Sequence, residues 1–68
     1  MKISARNVLE GTVKDVKKGA TTANIHVDVK GLTITSSITN ESVDDLGLKP
    51  GEKVKVVIKS SDVILAVE

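Results

Sequence analysis

From Ala23 to Lys30 the chain reads Ala-Asn-Ile-His-Val-Asp-Val-Lys, a strict alternation of apolar and polar residues. Only an extended strand, whose side chains repeat every second residue, sorts such a run onto two faces. Ala23, Ile25, Val27 and Val29 take the dry face; Asn24, His26, Asp28 and Lys30 take the wet one. Leu32, Ile34 and Ile38 continue the period through Leu-Thr-Ile-Thr-Ser-Ser-Ile, so Lys30-Gly31 between the two runs is a tight hairpin. A half-buried hairpin commits the chain to a sheet with one side in water.

The remaining segments extend that sheet. An earlier strand is less regular: Val8-Leu9 sets two apolar residues side by side, and Val13 and Val16 do not share a parity. A long strand bent at Gly11, with a bulge, reconciles them. Lys17-Lys18-Gly19-Ala20 supplies the next turn. Near the C-terminus Val54, Val56 and Ile58 face one side against Lys53, Lys55, Val57 and Lys59. After a polar corner at Ser60-Ser61-Asp62, the run Val63 to Val67 resumes as a further strand. Only Thr39 to Gly47 reads as helix: Thr39 or Asn40 caps it, Glu41, Asp44 and Asp45 suit its positive end, and Gly47 with Pro50 stops it. Val43 and Leu46 form its buried side. The expected class is all-β, a five-stranded OB-like barrel with one short helix between strands 3 and 4, over residues 1–68 as a single domain.

Composition narrows what such a barrel can do. At 68 residues folding buries only about 60% of the surface that the unfolded chain exposes, so self-association is expected. The chain has no Cys, Trp, Tyr or Phe and one His, which excludes disulfides, cysteine or histidine metal clusters and aromatic stacking platforms. Ten Lys and Arg against nine Asp and Glu leave a net charge of +1 with no block of one sign, too balanced for a dedicated nucleic-acid or membrane surface. No apolar run approaches the roughly 20 residues of a membrane span, and Met1 to Arg6 lacks the apolar centre of a signal peptide. The expected location is the cytoplasm.

An OB-type nucleic-acid binder would need stacking aromatics in a basic groove, and nothing brackets any Ser or Lys as nucleophile, base and orienter of an enzyme. His26, on the wet face of its strand, is a solvated or interface residue. What the chain has in excess is hydroxyls, six Ser and six Thr, beside isolated cations. Ser and Thr ordinarily decorate exposed strand faces, but hydroxyls, backbone N–H groups, Arg and Lys also form the donor-only set that a fully deprotonated oxyanion requires. Ser4 and Arg6, at i and i+2, lie on one side of the opening strand. Thr39 and Ser42 stand at the helix start, and Lys59-Ser60 where the fourth strand breaks.

Ser4-Ala5-Arg6-Asn7 followed by Gly11, Lys17-Lys18-Gly19, Ile38-Thr39-Asn40-Glu41-Ser42 leading to Leu46-Gly47-Leu48, and Val57-Ile58-Lys59-Ser60-Ser61-Asp62-Val63 together resemble the molbindin (Mop) family. These are small cytoplasmic molybdate-binding proteins whose domain also occurs in molybdate-dependent regulators and transporter ATPases. The resemblance spans essentially the whole chain. It implies an OB-like barrel, a homohexamer built as a trimer of dimers, and oxyanions held between subunits. The main site it implies has Ser4, Ala5 and Arg6 on one side and Thr39, Ser42, Lys59 and Ser60 on the other. A second class of site is implied at the turn after the first strand, Gly19, Ala20, Thr21 and Thr22.

The residues supply a reason for the match. Arg6 and Lys59 balance a dianion, and Ser4, Thr39, Ser42, Ser60 and the Ala5 amide donate to its oxygens. Asp62 would repel that anion, so it is expected to point away or to hold Lys59 or Arg6. The expected function is non-catalytic binding of molybdate, with tungstate as its analogue, for molybdenum storage and homeostasis. The alternatives are a structural or regulatory oligomerisation module, which would purify without molybdenum, and the OB-type nucleic-acid binder, which a salt-dependent gel shift would reveal.

Overall fold

The alternating run forms β2 (Thr22–Val29) and the next forms β3 (Leu32–Thr39). They pair antiparallel from Thr22 opposite Thr39 to Val29 opposite Leu32. Lys30 and Gly31 between them both have positive φ, 51° and 86°, the combination whose twist matches that of the strands it joins. The computed structural model describes all 68 residues. It adds β1 (Asn7–Lys18), α1 (Asn40–Leu46) and β4 (Lys53–Ile58), followed by a 3₁₀ turn at Ser60–Asp62.

β1 organises the sheet, whose order is β3-β2-β1-β4. Its second half pairs with β2 and its first half with β4, from Asn7 opposite Ile58 to Thr12 opposite Lys53. The register along β2 steps from Val13 opposite Val27 to Asp15 opposite His26, which leaves Lys14 as the extra residue of a bulge. That one insertion brings Val13 and Val16, of opposite parity in the sequence, onto the same inner side. The bulge thus lies three residues beyond Gly11, where the bend was expected. Gly11 serves close approach instead: a Cβ there would stand 2.6 Å from Val27 Cγ1 and 2.9 Å from the Asp28 carbonyl oxygen.

Val13, Ala23, Ile25, Val27, Val29 and Val43 are buried, the four from β2 being the apolar half of its alternation. α1 contributes Val43 alone. Leu46, expected beside it, is 68% exposed, because the helix ends at Gly47 (φ 65°) and Leu48 turns back to pack on the core. The Gly47 and Leu48 N–H groups reach the Asp44 and Val43 carbonyls, both at 3.1 Å, which closes the helix in a Schellman arrangement.

The expected fifth strand is not formed, and the barrel is not closed. The sheet has four strands, and Val63 to Val67 pairs with none of them; Ile64, Leu65 and Val67 are 92%, 89% and 98% exposed. Five successive apolar residues carry no alternation, so neither face of the run is marked for the inner side, and the 3₁₀ turn leads it away from β4. β3 and β4 therefore remain as edges. Between them lies an open apolar groove of about 300 Å³, lined by Val13, Ile25, Val27, Ile38, Val54 and Val56 among others.

Candidate functional site

The candidate residues gather at the two ends of β1. At its start, Asn7 opposite Ile58 is the last rung of the β1–β4 ladder, tied by the Asn7 side-chain amide to the Ile58 carbonyl at 3.2 Å. Arg6 and Lys59 are the next residues outward from that rung. Ser4 and Ala5 precede Arg6, and Ser60 follows Lys59. Ser4 and Arg6 lie ahead of β1 rather than within it, so their grouping comes from the rung and not from strand alternation. Neither cation enters an ion pair within the chain; the three such pairs are Lys18–Asp44, His26–Asp15 and Lys49–Glu52. Asp62 is exposed and holds neither of them.

At the other end, Thr39 caps α1. Its Oγ1 accepts the Ser42 N–H at 3.0 Å and its hydroxyl donates to Ser42 Oγ at 2.8 Å. This leaves the Ser42 hydroxyl hydrogen free to donate outward, with Thr39 setting its direction. Thr39 lies opposite Thr22, beside the β1–β2 turn. There the Gly19 N–H donates to the Thr22 carbonyl at 2.6 Å, while the Ala20 and Thr21 N–H groups make no hydrogen bond within the chain. Lys17, Lys18, Gly19, Thr22 and Asn24 line a shallow polar cleft at this turn.

The fold therefore joins Ser4, Ala5 and Arg6 to Lys59 and Ser60, and joins Thr39 and Ser42 to the Gly19–Thr22 turn. It does not bring these two groups together. β1 is 12 residues long and a strand rises roughly 3.3 Å per residue, a span far beyond one tetrahedral anion.

A profile of the TOBE domain matches residues 3–65. The chain belongs to the TOBE-domain family. Among the relatives of this TOBE domain, Molybdenum-pterin-binding protein 3 of Clostridium pasteurianum is 47% identical over 66 residues, covering 96% of this chain and 97% of the relative. The solved structure of a molybdate-binding protein from Sporomusa ovata superposes with a TM-score of 0.95 at 45% identity, covering 98% of this chain and all of that one. The cytoplasmic molybdate-binding protein ModG, in a form with molybdate bound, superposes with a TM-score of 0.95 at 48% identity over the whole of this chain and 49% of its own. The resemblance read from the sequence motifs is thereby borne out at the level of the family.

Two features of the TOBE domain's candidate site escape sequence reasoning. Thr39 or Asn40 was open as the helix cap; Thr39 takes that role and frees the Asn40 side chain for another. Asn40 Nδ2 donates to the Gly19 carbonyl at 3.0 Å, and the Asn40 N–H donates to the Thr21 carbonyl at 2.9 Å. Asn40 Oδ1 is buried without a partner, a condition that costs about 1 to 3 kcal/mol. The second feature is Lys18 Nζ, 2.6 Å from Asp44 Oδ1, an exposed pair contributing at most about 1 kcal/mol. Neither contact has a local signal, since both join residues more than twenty positions apart. Elsewhere His26 Nδ1 lies 2.7 Å from Asp15 Oδ1 across the bulge. No group of three or more His, Cys, Asp or Glu side chains is placed to hold a metal ion, and no helix is long and apolar enough to cross a membrane.

Proposed function

We propose that residues 1–68 act as one binding unit that takes up molybdate, and tungstate as its analogue, as a non-catalytic cytoplasmic protein for molybdenum storage and homeostasis. The observation that carries this reading is the end of the β1–β4 ladder. Arg6 and Lys59 flank its last rung, Ser4 and Ser60 accompany them, and no carboxylate pairs with either cation. A donor-rich cluster with unneutralised positive charge suits a bare dianion. What the named relatives bind agrees with it.

The main site, in this reading, is shared between subunits. Ser4, Ala5, Arg6, Lys59 and Ser60 stand at one end of β1 and Thr39 and Ser42 at the other, so all seven meet one anion only when different copies bring opposite ends together. The open groove and the exposed Val63 to Val67 run support the same assembly, a homohexamer arranged as a trimer of dimers. The Gly19–Thr22 turn, with its free Ala20 and Thr21 amides, forms the second class of site.

Titration calorimetry of the full chain with molybdate, tungstate, sulfate and phosphate tests this, alongside elemental analysis of the purified protein. Molybdate and tungstate should bind and copurified molybdenum should be detectable. Phosphate carries a proton near neutrality and sets an O–H against a donor, which leaves a pair unmade, so it should bind weakly. Absence of heat and of metal with molybdate would sink the reading.

A further inference from the structure

We propose that Asn7 is a positioning residue that holds Arg6 and Lys59 side by side and leaves their charge available to an anion; the inference rests on reading the end of the β1–β4 ladder as part of the molybdate site. The Asn7 side-chain amide donates to the Ile58 carbonyl at 3.2 Å. No other side-chain hydrogen bond joins β1 to β4. The bond crosses the last rung, where Asn7 stands opposite Ile58 and both residues are half-buried. Asn7 follows Arg6 directly in the chain, and the Ile58 carbonyl belongs to the peptide that leads into Lys59. One contact therefore fixes both backbones at the point from which the two cations depart.

The end of a ladder has no further pair beyond it and is prone to fray. Here the fraying is driven further, because two cations without a carboxylate partner repel each other. Lys59 is also held from its other side, where its own carbonyl accepts the Asp62 N–H at 2.9 Å as the 3₁₀ turn begins. Two successive carbonyls, those of Ile58 and Lys59, are thus tied, and Lys59 leaves the strand from a fixed peptide. The chemistry of an amide suits this place. An ionised carboxylate cannot donate to a carbonyl, and it would draw Arg6 or Lys59 into a charge-assisted pair of its own. Asparagine donates without charge, so it orders the two cations and does not neutralise them.

The test is calorimetric titration of the full chain with sodium molybdate, well below the thermal midpoint of each protein, comparing the unmodified chain with Asn7→Ala, Asn7→Asp and Arg6→Ala. Loss of one such hydrogen bond corresponds to a factor of about 2 to 10, and Asn7→Ala should weaken molybdate binding by that factor with the number of anions per chain unchanged. Asn7→Asp keeps the size of the side chain, removes the donor and adds a negative charge beside the two cations. It should weaken binding further, at least about tenfold. Should the alanine variant fold poorly, the aspartate variant, of nearly the same shape, carries the comparison alone. A residue that merely fastens the strands would lower the thermal midpoint in both variants and leave the affinity of the folded protein untouched, and that result overturns the inference. Equal losses in the alanine and aspartate variants overturn it as well, since the charge of the side chain would then make no difference to the anion. If Arg6→Ala weakens binding while both Asn7 variants titrate like the unmodified chain, the inference falls and the functional reading stands. Absence of any molybdate binding by the unmodified chain would instead defeat the reading beneath it.

Discussion

Arg6 and Lys59 carry charges that no carboxylate of the chain neutralises, and they come from opposite ends of the sequence to flank one rung. In the proposed site each supplies half of the countercharge of a dianion enclosed between subunits, where loss of one charged partner is costly. Arg6→Ala and Lys59→Ala should therefore each lower molybdate affinity at least about tenfold by calorimetry. Lys14→Ala is the matched control, because Lys14 Nζ is occupied with Thr33 Oγ1 at 3.0 Å on the open face of the sheet. Equal titrations for all three variants would remove the rung from the site. Both residues were legible in the sequence as donors, but their adjacency was not, since it depends on the pairing of β1 with β4.

At the scale of elements, β1 does what no other strand does: it pairs with two neighbours in succession while bending between them. Lys14 absorbs the bend as an extra residue, and Gly11 permits β2 to cross within contact of its backbone. Gly11→Ala would drive a methyl group to 2.6 Å from Val27 Cγ1, against a strand that cannot retreat without losing its own pairs. The expected cost is about 1 to 3 kcal/mol, read as a lower urea midpoint with an unchanged slope; an unaltered midpoint would show that the strands separate freely there. The irregular spacing of Val8, Leu9, Val13 and Val16 announced that β1 is bent. It did not say which residue is extra, because either Lys14 or Asp15 could be the inserted one that brings Val13 and Val16 onto one face. The hairpin of β2 and β3 was legible in full, since its alternation and its turn residues point to the same register.

For the whole molecule, the apolar surface left in water is the dominant fact. Six residues are buried, the groove between β3 and β4 is open, and the Val63 to Val67 run stands free. Surface of this kind calls for association. Sedimentation should show a species several times 7.2 kDa, and Ile64→Asp with Leu65→Asp should shift it toward the monomer and lower its thermal stability, as expected where folding and assembly are linked. A stable monomer of the unmodified chain at micromolar concentration would refute the assembly and the shared site with it.

The sequence by itself determined the local structure: the β2–β3 hairpin from its alternation and its Lys-Gly turn, α1 from a cap at Thr39 or Asn40 and its Gly47 stop, and the identity of the donors. Each of these is set by residues within a few positions of one another, where side-chain period and backbone propensity are decisive. Tertiary structure alone decided that Lys14 is the bulged residue, that Leu48 displaces Leu46 from the core, that Val63 to Val67 adds no fifth strand, and that the candidate site is divided between the two ends of β1. Those outcomes depend on which edges meet and how much room is left between them, quantities that arise only when segments distant in sequence compete for the same inner surface.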